Sequence, residues 1–154
     1  MGMFDITRGV GTRGGLTTQI CEGGKDAYAT APSLSFSDDA FSFVVPILKR
    51  RAIAWVPYAR WGLTEIDAES WRLVVQDLRA FAERIADGAL LSEEDATAVP
   101  LVDLDTDTEM DAAAFRAQFQ EPRHRDAIRG FLAGIADWVD DGLTRNEVLT
   151  VCGV

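Results

Sequence analysis

The chain has 154 residues, of which 47% are apolar and 26% are charged, so we expect one globular domain over residues 1–154. This composition excludes a disordered chain, a collagen-like repeat and a disulfide-dense mini-protein. The net charge of −10 argues against nucleic acid or an anionic membrane as a binding partner.

The first 35 residues are rich in glycine and predict short strands joined by turns. β-like runs lie at 3–7, 16–22 and 28–30, and Gly23-Gly24 predicts a turn because glycine adopts positive φ without steric cost. A Gly-x-Gly-x-x-Gly spacing over 9–14 matches a dinucleotide-binding motif. That motif needs a helix directly after it, whose N-terminus faces the pyrophosphate, whereas a strand is predicted here. We therefore interpret the motif as a glycine-rich hairpin.

The next segment predicts a helix followed by a strand. Ser37 precedes two aspartates, which is typical of a helix N-terminus, and apolar residues then recur at helical spacing. Pro46 interrupts this pattern, so a helix over 38–48 would be kinked there. The basic run 49–51 suits the C-terminus of a helix, and the apolar run 52–58 predicts a strand.

Two long amphipathic helices are predicted in the second half of the chain. The first runs over 68–87 with Asp67 as its N-cap, and the second runs over 122–141 and ends before Gly142. The β-branched run 147–152 then predicts a C-terminal strand. The apolar stripes of the two helices comprise Trp71, Val74, Val75, Leu78, Phe81, Ala82, Ile85, Ile128, Phe131, Leu132, Ile135, Trp138 and Val139.

Between these helices lies a long connection in which acidic residues alternate with others. The run 103–107 matches the spacing of the first three ligands of an EF-hand Ca²⁺ loop, but Thr108 stands where that loop needs glycine and Ala114 where it needs glutamate. We therefore expect a solvated acidic loop leading into a short helical segment over 111–119, capped by Thr108. Ca²⁺ binding stays open as an alternative, and no cofactor is predicted.

The residues most often found in catalytic sites are few. Cys21 and Cys152 are the only cysteines, and we expect both to be reduced and mostly buried. A disulfide between them stays open as an alternative if the two strands that carry them are neighbours. His124 is the only histidine and lies in the predicted first turn of a helix, between Arg123 and Arg125. We therefore expect it to be exposed and without a catalytic role, and no catalytic residue is assigned.

Charge is distributed unevenly along the chain. Residues 1–61 carry seven basic and five acidic side chains (net +2), whereas residues 62–154 carry eight basic and 20 acidic ones (net −12). The second long helix has arginines at its N-terminus and aspartates at its C-terminus, which opposes the helix dipole. Either cations elsewhere in the fold neutralise these aspartates, or the surface is adapted to a basic partner.

These predictions together favour an α+β fold. We expect a mainly antiparallel sheet, built from the N-terminal strands, 52–58 and the C-terminal strand, with the two long amphipathic helices packed on one face. The alternative is a small α/β arrangement in which 52–58 and 146–152 run parallel.

For function, we expect a small acidic binding protein that masks a basic protein partner, as an immunity protein or antitoxin does. The absence of a recognisable signal peptide favours a cytoplasmic location, and the preference for arginine over lysine is typical of GC-rich bacterial coding. The predicted partner-binding residues are Asp103, Asp105, Asp107, Glu109, Asp111, Asp137, Trp138, Asp140 and Asp141.

Two other function classes stay open. A phage or secretion-system assembly protein would form homo-oligomers. An enzyme with a carboxylate-based or metal-assisted site would gather several acids in a concave pocket, together with His124 and Arg60, and would raise the pKa values of those carboxylates.

Overall fold

The computed structural model describes residues 2–11, 17–55, 62–86 and 101–153. Within these ranges the chain forms an antiparallel sheet of five strands with the order β1-β3-β2-β5-β4, so the C-terminal strand lies inside the sheet. The strands are β1 Thr7–Val10, β2 Thr17–Glu22, β3 Pro32–Ser37, β4 Gly62–Asp67 and β5 Val148–Gly153. The helices are α1 Asp38–Phe41, α2 Val45–Arg51, α3 Ala68–Ala86, α4 Ala112–Ala117 and α5 Pro122–Leu143, with a 3₁₀ turn, Gln118–Gln120, before α5. The predicted α+β class is therefore confirmed.

One face of the sheet is apolar and lies against the helices. Ile20, Leu34 and Val151 are cross-strand neighbours on this face, and all three are fully buried in the main core. The two long helices, α3 and α5, pack against each other and cover this face, as the sequence predicts. The core therefore lies between the sheet and the long helices.

The opposite face of the central strands is polar, yet it is also buried. The Gln19 amide donates to the Gly11 carbonyl (3.2 Å) and to Ser35 Oγ (2.8 Å), and Ser33 Oγ donates to the same carbonyl (3.0 Å). Gly11 has φ +72°, and a Cβ there would lie only 2.6 Å from the Ala29 carbonyl oxygen. Gly11 therefore lies over this face at a position that only glycine can occupy without strain.

The N-terminal strands differ in position from the prediction. Residues 3–4 form a turn in which Asp5 N–H donates to the Gly2 carbonyl (3.2 Å), so β1 begins at Thr7 rather than at Met3. The run 28–30 is also a turn, and β3 follows it. The predicted strand 16–22 is confirmed as β2 over its described part. The next element described after the Gly-x-Gly spacing is thus a strand, not a helix.

The predicted strand 52–58 is wrong over residues 52–55, and the rest of it lies outside the described residues. Ile53 and Ala54 form a turn after α2, and Ile53 is 95% exposed. The strand β4, which was not predicted, pairs antiparallel with β5. An apolar, β-branched run identifies a strand only when the tertiary structure provides a neighbour with which it pairs.

The helix boundaries follow the capping residues closely. Ser37 Oγ accepts from Ala40 N–H (3.1 Å) and Asp67 Oδ1 from Ser70 N–H (2.7 Å), as the sequence predicts. Pro46 is the second residue of α2, so a turn divides the predicted helix in two.

Three details of the helix ends differ from the prediction. The cap of α4 is Asp111, not Thr108, since Asp111 Oδ1 accepts from Ala114 N–H (2.8 Å). Helix α5 continues to Leu143, with Gly142 buried inside its last turn. The basic run 49–51 does form the last turn of α2.

Two glycines of α5 offer a matched test of packing. A Cβ at Gly130 would meet nothing within 4 Å, whereas a Cβ at Gly134 would lie 2.7 Å from Ile6 Cδ1. Gly130→Ala is therefore expected to raise the free energy of unfolding by about 0.5–1 kcal/mol, because it restricts the unfolded chain and favours helix. Urea denaturation measures this gain. Gly134→Ala should gain less, since Ile6 must move, and an equal gain at both sites would contradict this account.

Candidate functional site

The most acidic part of the described chain is a hairpin over residues 101–110, which we call the acidic hairpin. Val102 pairs with Glu109 in an isolated antiparallel bridge, and Asp103 N–H donates to the Thr108 carbonyl (2.8 Å). Asp103 Oδ1 accepts from the N–H groups of Asp105 (2.8 Å) and Thr106 (3.0 Å), which closes the tip. The alternating acids therefore belong to an ordered turn.

Gln118 holds the acidic hairpin against the rest of the fold. Its Oε1 accepts from Leu104 N–H (2.7 Å), while its Nε2 donates to the Val102 carbonyl (3.0 Å) and contacts Met110 Sδ (3.2 Å). Leu104 and Met110 are also partly buried against the main core. One amide side chain thus bridges both strands of the hairpin, and nothing in the local sequence around Gln118 indicated this role.

The acidic hairpin forms one wall of a groove of about 400 Å³, which we call the acidic groove. The N-terminal segment and the start of α1 supply the other wall, through Met3 and Asp39. An adjoining cavity of about 250 Å³ extends the groove to the start of α5. Four carboxylates line the acidic groove: Asp39, Asp103, Asp105 and Asp107. Three of these were predicted, and Asp39, which the sequence presents only as an acid in the first turn of a helix, was missed.

Two carboxylates of the acidic hairpin, Asp103 and Asp105, are held in the charged form. Arg123 donates to both oxygens of Asp105 (2.8 and 2.6 Å), and these bonds lower the pKa of Asp105. The backbone N–H groups at the hairpin tip lower the pKa of Asp103 in the same way. A carboxyl group that acts as a general acid needs a raised pKa. The pKa values of Asp103 and Asp105 are lowered instead, so these two carboxylates do not match the enzyme alternative.

His124 is buried, which corrects the prediction that it is exposed. It is 7% exposed and lines the adjoining cavity, because the acidic hairpin and the N-terminal segment both lie over the first turn of α5. Its Nε2 lies 3.6 Å from Glu121 Oε2 and 3.8 Å from Asp105 Oδ2. Its position in the helix gave no sign of burial, since the covering residues are distant in sequence.

The acids at the C-terminus of α5 form a second, separate group. Arg79 on α3 donates to Asp137 (2.9 Å) and Asp140 (2.7 Å), so the helix packing itself supplies the neighbouring cation. Arg145 bonds both Asp141 (2.8 Å) and Glu22, and it lowers the pKa of Asp141. These ion pairs place an arginine beside each aspartate, so the C-terminus of α5 tolerates acidic residues that the helix dipole disfavours.

The nine predicted partner-binding residues therefore do not form one surface. Asp103, Asp105 and Asp107 lie at the acidic groove, and Asp111 caps α4 beside them. Trp138 is half-buried against the core with the second group. The two groups lie near opposite ends of α5, which are separated by roughly 25 Å along the helix axis.

The described residues hold no group of three or more His, Cys, Asp or Glu side chains that could bind a metal ion, so the Ca²⁺ alternative finds no ligand set there. Among the helices described, none is long and apolar enough to cross a membrane. No protein-family model, no curated protein and no solved structure is significantly similar to this chain.

Proposed function

We propose that this chain is a small binding protein that masks a basic protein partner, in the manner of an immunity protein or antitoxin, and that the acidic groove receives lysine or arginine side chains of the partner. One observation carries the proposal. Four carboxylates line the acidic groove, and among its described lining residues, including those of the adjoining cavity, Arg123 is the one arginine or lysine. Arg123 is already bonded to Asp105 and Glu121, which leaves a local excess of negative charge.

The chemistry of the acidic groove supports this choice of partner. Its carboxylates border the apolar side chains of Met3, Val102 and Leu104. Lysine and arginine need both environments, because their methylene stems pack on apolar surface while their charged ends bind oxygen. The lowered pKa values of Asp103 and Asp105 keep the negative charge in place well below neutral pH. Such a field also accelerates association with a basic protein.

The second acidic group has a smaller part in the proposal. Asp137 and Asp140 are exposed but already share Arg79, so a partner cation would have to compete with an internal one. Exposed ion pairs of this kind contribute little to affinity. We therefore propose the acidic groove as the main partner-binding surface, and Asp137, Trp138, Asp140 and Asp141 as a separate, weaker contact.

The test removes charge from the acidic groove without disturbing its backbone. In the triple variant Asp39→Asn, Asp103→Asn and Asp107→Asn, the amide oxygen at 103 still accepts the two N–H bonds of the turn. Asparagine also tolerates the left-handed backbone of Asp107, whose φ is +60°. Fluorescence anisotropy with a short arginine-rich peptide as the probe is expected to show roughly tenfold weaker binding. The affinity of the native chain should also fall as salt rises.

The matched control removes the same number of charges elsewhere. Asp26→Asn, Glu69→Gln and Glu83→Gln alter three exposed carboxylates outside the acidic groove, so the net charge is identical in the two variants. If the control loses as much affinity as the groove variant, the attraction is nonspecific and the groove assignment is wrong. Light scattering of the native chain separates the proposal from the assembly-protein alternative, which expects a homo-oligomer.

A further inference from the structure

The two cysteines of the chain meet at the centre of the sheet, although 131 positions separate them. Strands β2 and β5 are antiparallel neighbours, with Cys21 opposite Thr150 and Cys152 opposite Gln19. The cysteines are therefore diagonal neighbours on the same face, and their Sγ atoms lie 3.3 Å apart. Because the chain contains no other cysteine, each is the other's only thiol partner within the molecule.

The surroundings of this pair are those of a polar site rather than of the main core. Both cysteines lie outside the apolar cluster, on the face that also carries Gln19, Ser33 and Thr150. Both side chains are buried, so reagents reach the sulfurs only while the chain folds or opens. A buried cysteine pair in contact is a different arrangement from two isolated cysteines that merely fill apolar space.

We propose that Cys21 and Cys152 form an intramolecular disulfide by thiol–disulfide exchange with a small-molecule disulfide as the chain folds. The bond requires the sulfurs to approach from 3.3 Å to about 2.05 Å, which rotation of the two side chains and a small shift of the strands can supply. It would join the C-terminal strand covalently to the N-terminal half of the sheet. This proposal is independent of the proposed function.

The exchange proceeds in two balanced steps. The thiol of one cysteine loses its proton to water, and its thiolate attacks one sulfur of the small disulfide. The S–S bond breaks and releases one small thiolate, which takes up a proton. The thiolate of the other cysteine, its proton also lost to water, then attacks the protein sulfur of the mixed disulfide and releases the second small thiolate, which is protonated in turn. Two protein thiols are oxidised, and one small disulfide is reduced to two thiols.

The test refolds the full native chain from denaturant, once with a mixture of oxidised and reduced glutathione and once with dithiothreitol. After refolding with glutathione we expect no free thiols on titration under denaturing conditions, a monomer, and a mass lower by two hydrogen atoms. The oxidised chain should also melt roughly 10 °C above the reduced one, because the bond closes a very long loop in the unfolded state. The variants Cys21→Ser and Cys152→Ser serve as controls, and each should melt at the same temperature in both buffers.

Three results would overturn the proposal: two free thiols after refolding with glutathione, a mass increase from a stable glutathione adduct, or a disulfide-linked dimer on a non-reducing gel. All three are read from the native chain, so the outcome does not depend on whether either serine variant folds.

Discussion

Trp71→Ala is expected to lower the free energy of unfolding by about 4 kcal/mol, the largest effect of any single substitution considered for this chain. Trp71 is fully buried at the start of α3, and its indole Nε1 donates to the Leu149 carbonyl of β5 (3.1 Å). Alanine would remove the apolar contact area, leave a cavity between the helix and the sheet, and take away one donor from a buried carbonyl. The side chain therefore joins α3 to β5, although the two bonded residues are 78 positions apart in the sequence.

Urea denaturation measures this loss, and the neighbouring residue provides the control. Arg72 is exposed on the same helix, so Arg72→Ala should change the free energy of unfolding by no more than about 0.5 kcal/mol. Trp71→Phe keeps most of the ring but removes the donor, and we expect it to cost less than the alanine variant. A loss below about 1 kcal/mol for Trp71→Ala would show that the position is not packed as described.

Gln118→Ala is expected to release the acidic hairpin and to lower the free energy of unfolding by about 2 kcal/mol. The substitution leaves Leu104 N–H without its acceptor and the Val102 carbonyl without its side-chain donor, and both bonds are partly buried. Hydrogen exchange reports the local effect directly, because the Leu104 amide should exchange much faster than in the native chain. Gln120→Ala, at an exposed position in the same 3₁₀ turn, is the matched control.

The Gln118→Ala variant also tests whether peptide binding depends on the position of the carboxylates in the acidic groove or only on their charge. Gln118→Ala removes no carboxylate, yet it loosens the hairpin that positions Asp103 and Asp107. We therefore expect weaker binding of the arginine-rich peptide than in the Gln120→Ala variant. If the hairpin amides exchange no faster and binding is unchanged, Gln118 does not position the site.

Several elements followed from short-range patterns. Helices α3 and α5 have apolar residues at helical spacing over several turns. As expected, Asp67 caps the N-terminus of α3 and Pro122 is the first residue of α5. Such signals act between residues within a few positions of each other, so tertiary contacts rarely override them. The C-terminal strand was predicted for the same reason, because its β-branched run is also a local signal.

The identity of the edge strand beside β5 and the burial of His124 depended on contacts between residues that are distant in sequence. β4 was missed and 52–55 was wrongly predicted as strand, because pairing with β5 decides which run joins the sheet. Likewise, His124 is buried because the acidic hairpin and the N-terminal segment both fold over it.

Local sequence thus decided where the helices lie, where the acids are concentrated and that the two halves of the chain differ in charge. The tertiary structure alone decided which acids are neutralised and which line a groove. Asp137 and Asp140 meet Arg79 because α3 and α5 pack side by side, whereas Asp39 joins Asp103 and Asp107 because the acidic hairpin lies against the start of α1. The physical reason is range: helix periodicity and capping act within a few residues, but ion pairs and grooves form between side chains that only the folded chain brings together.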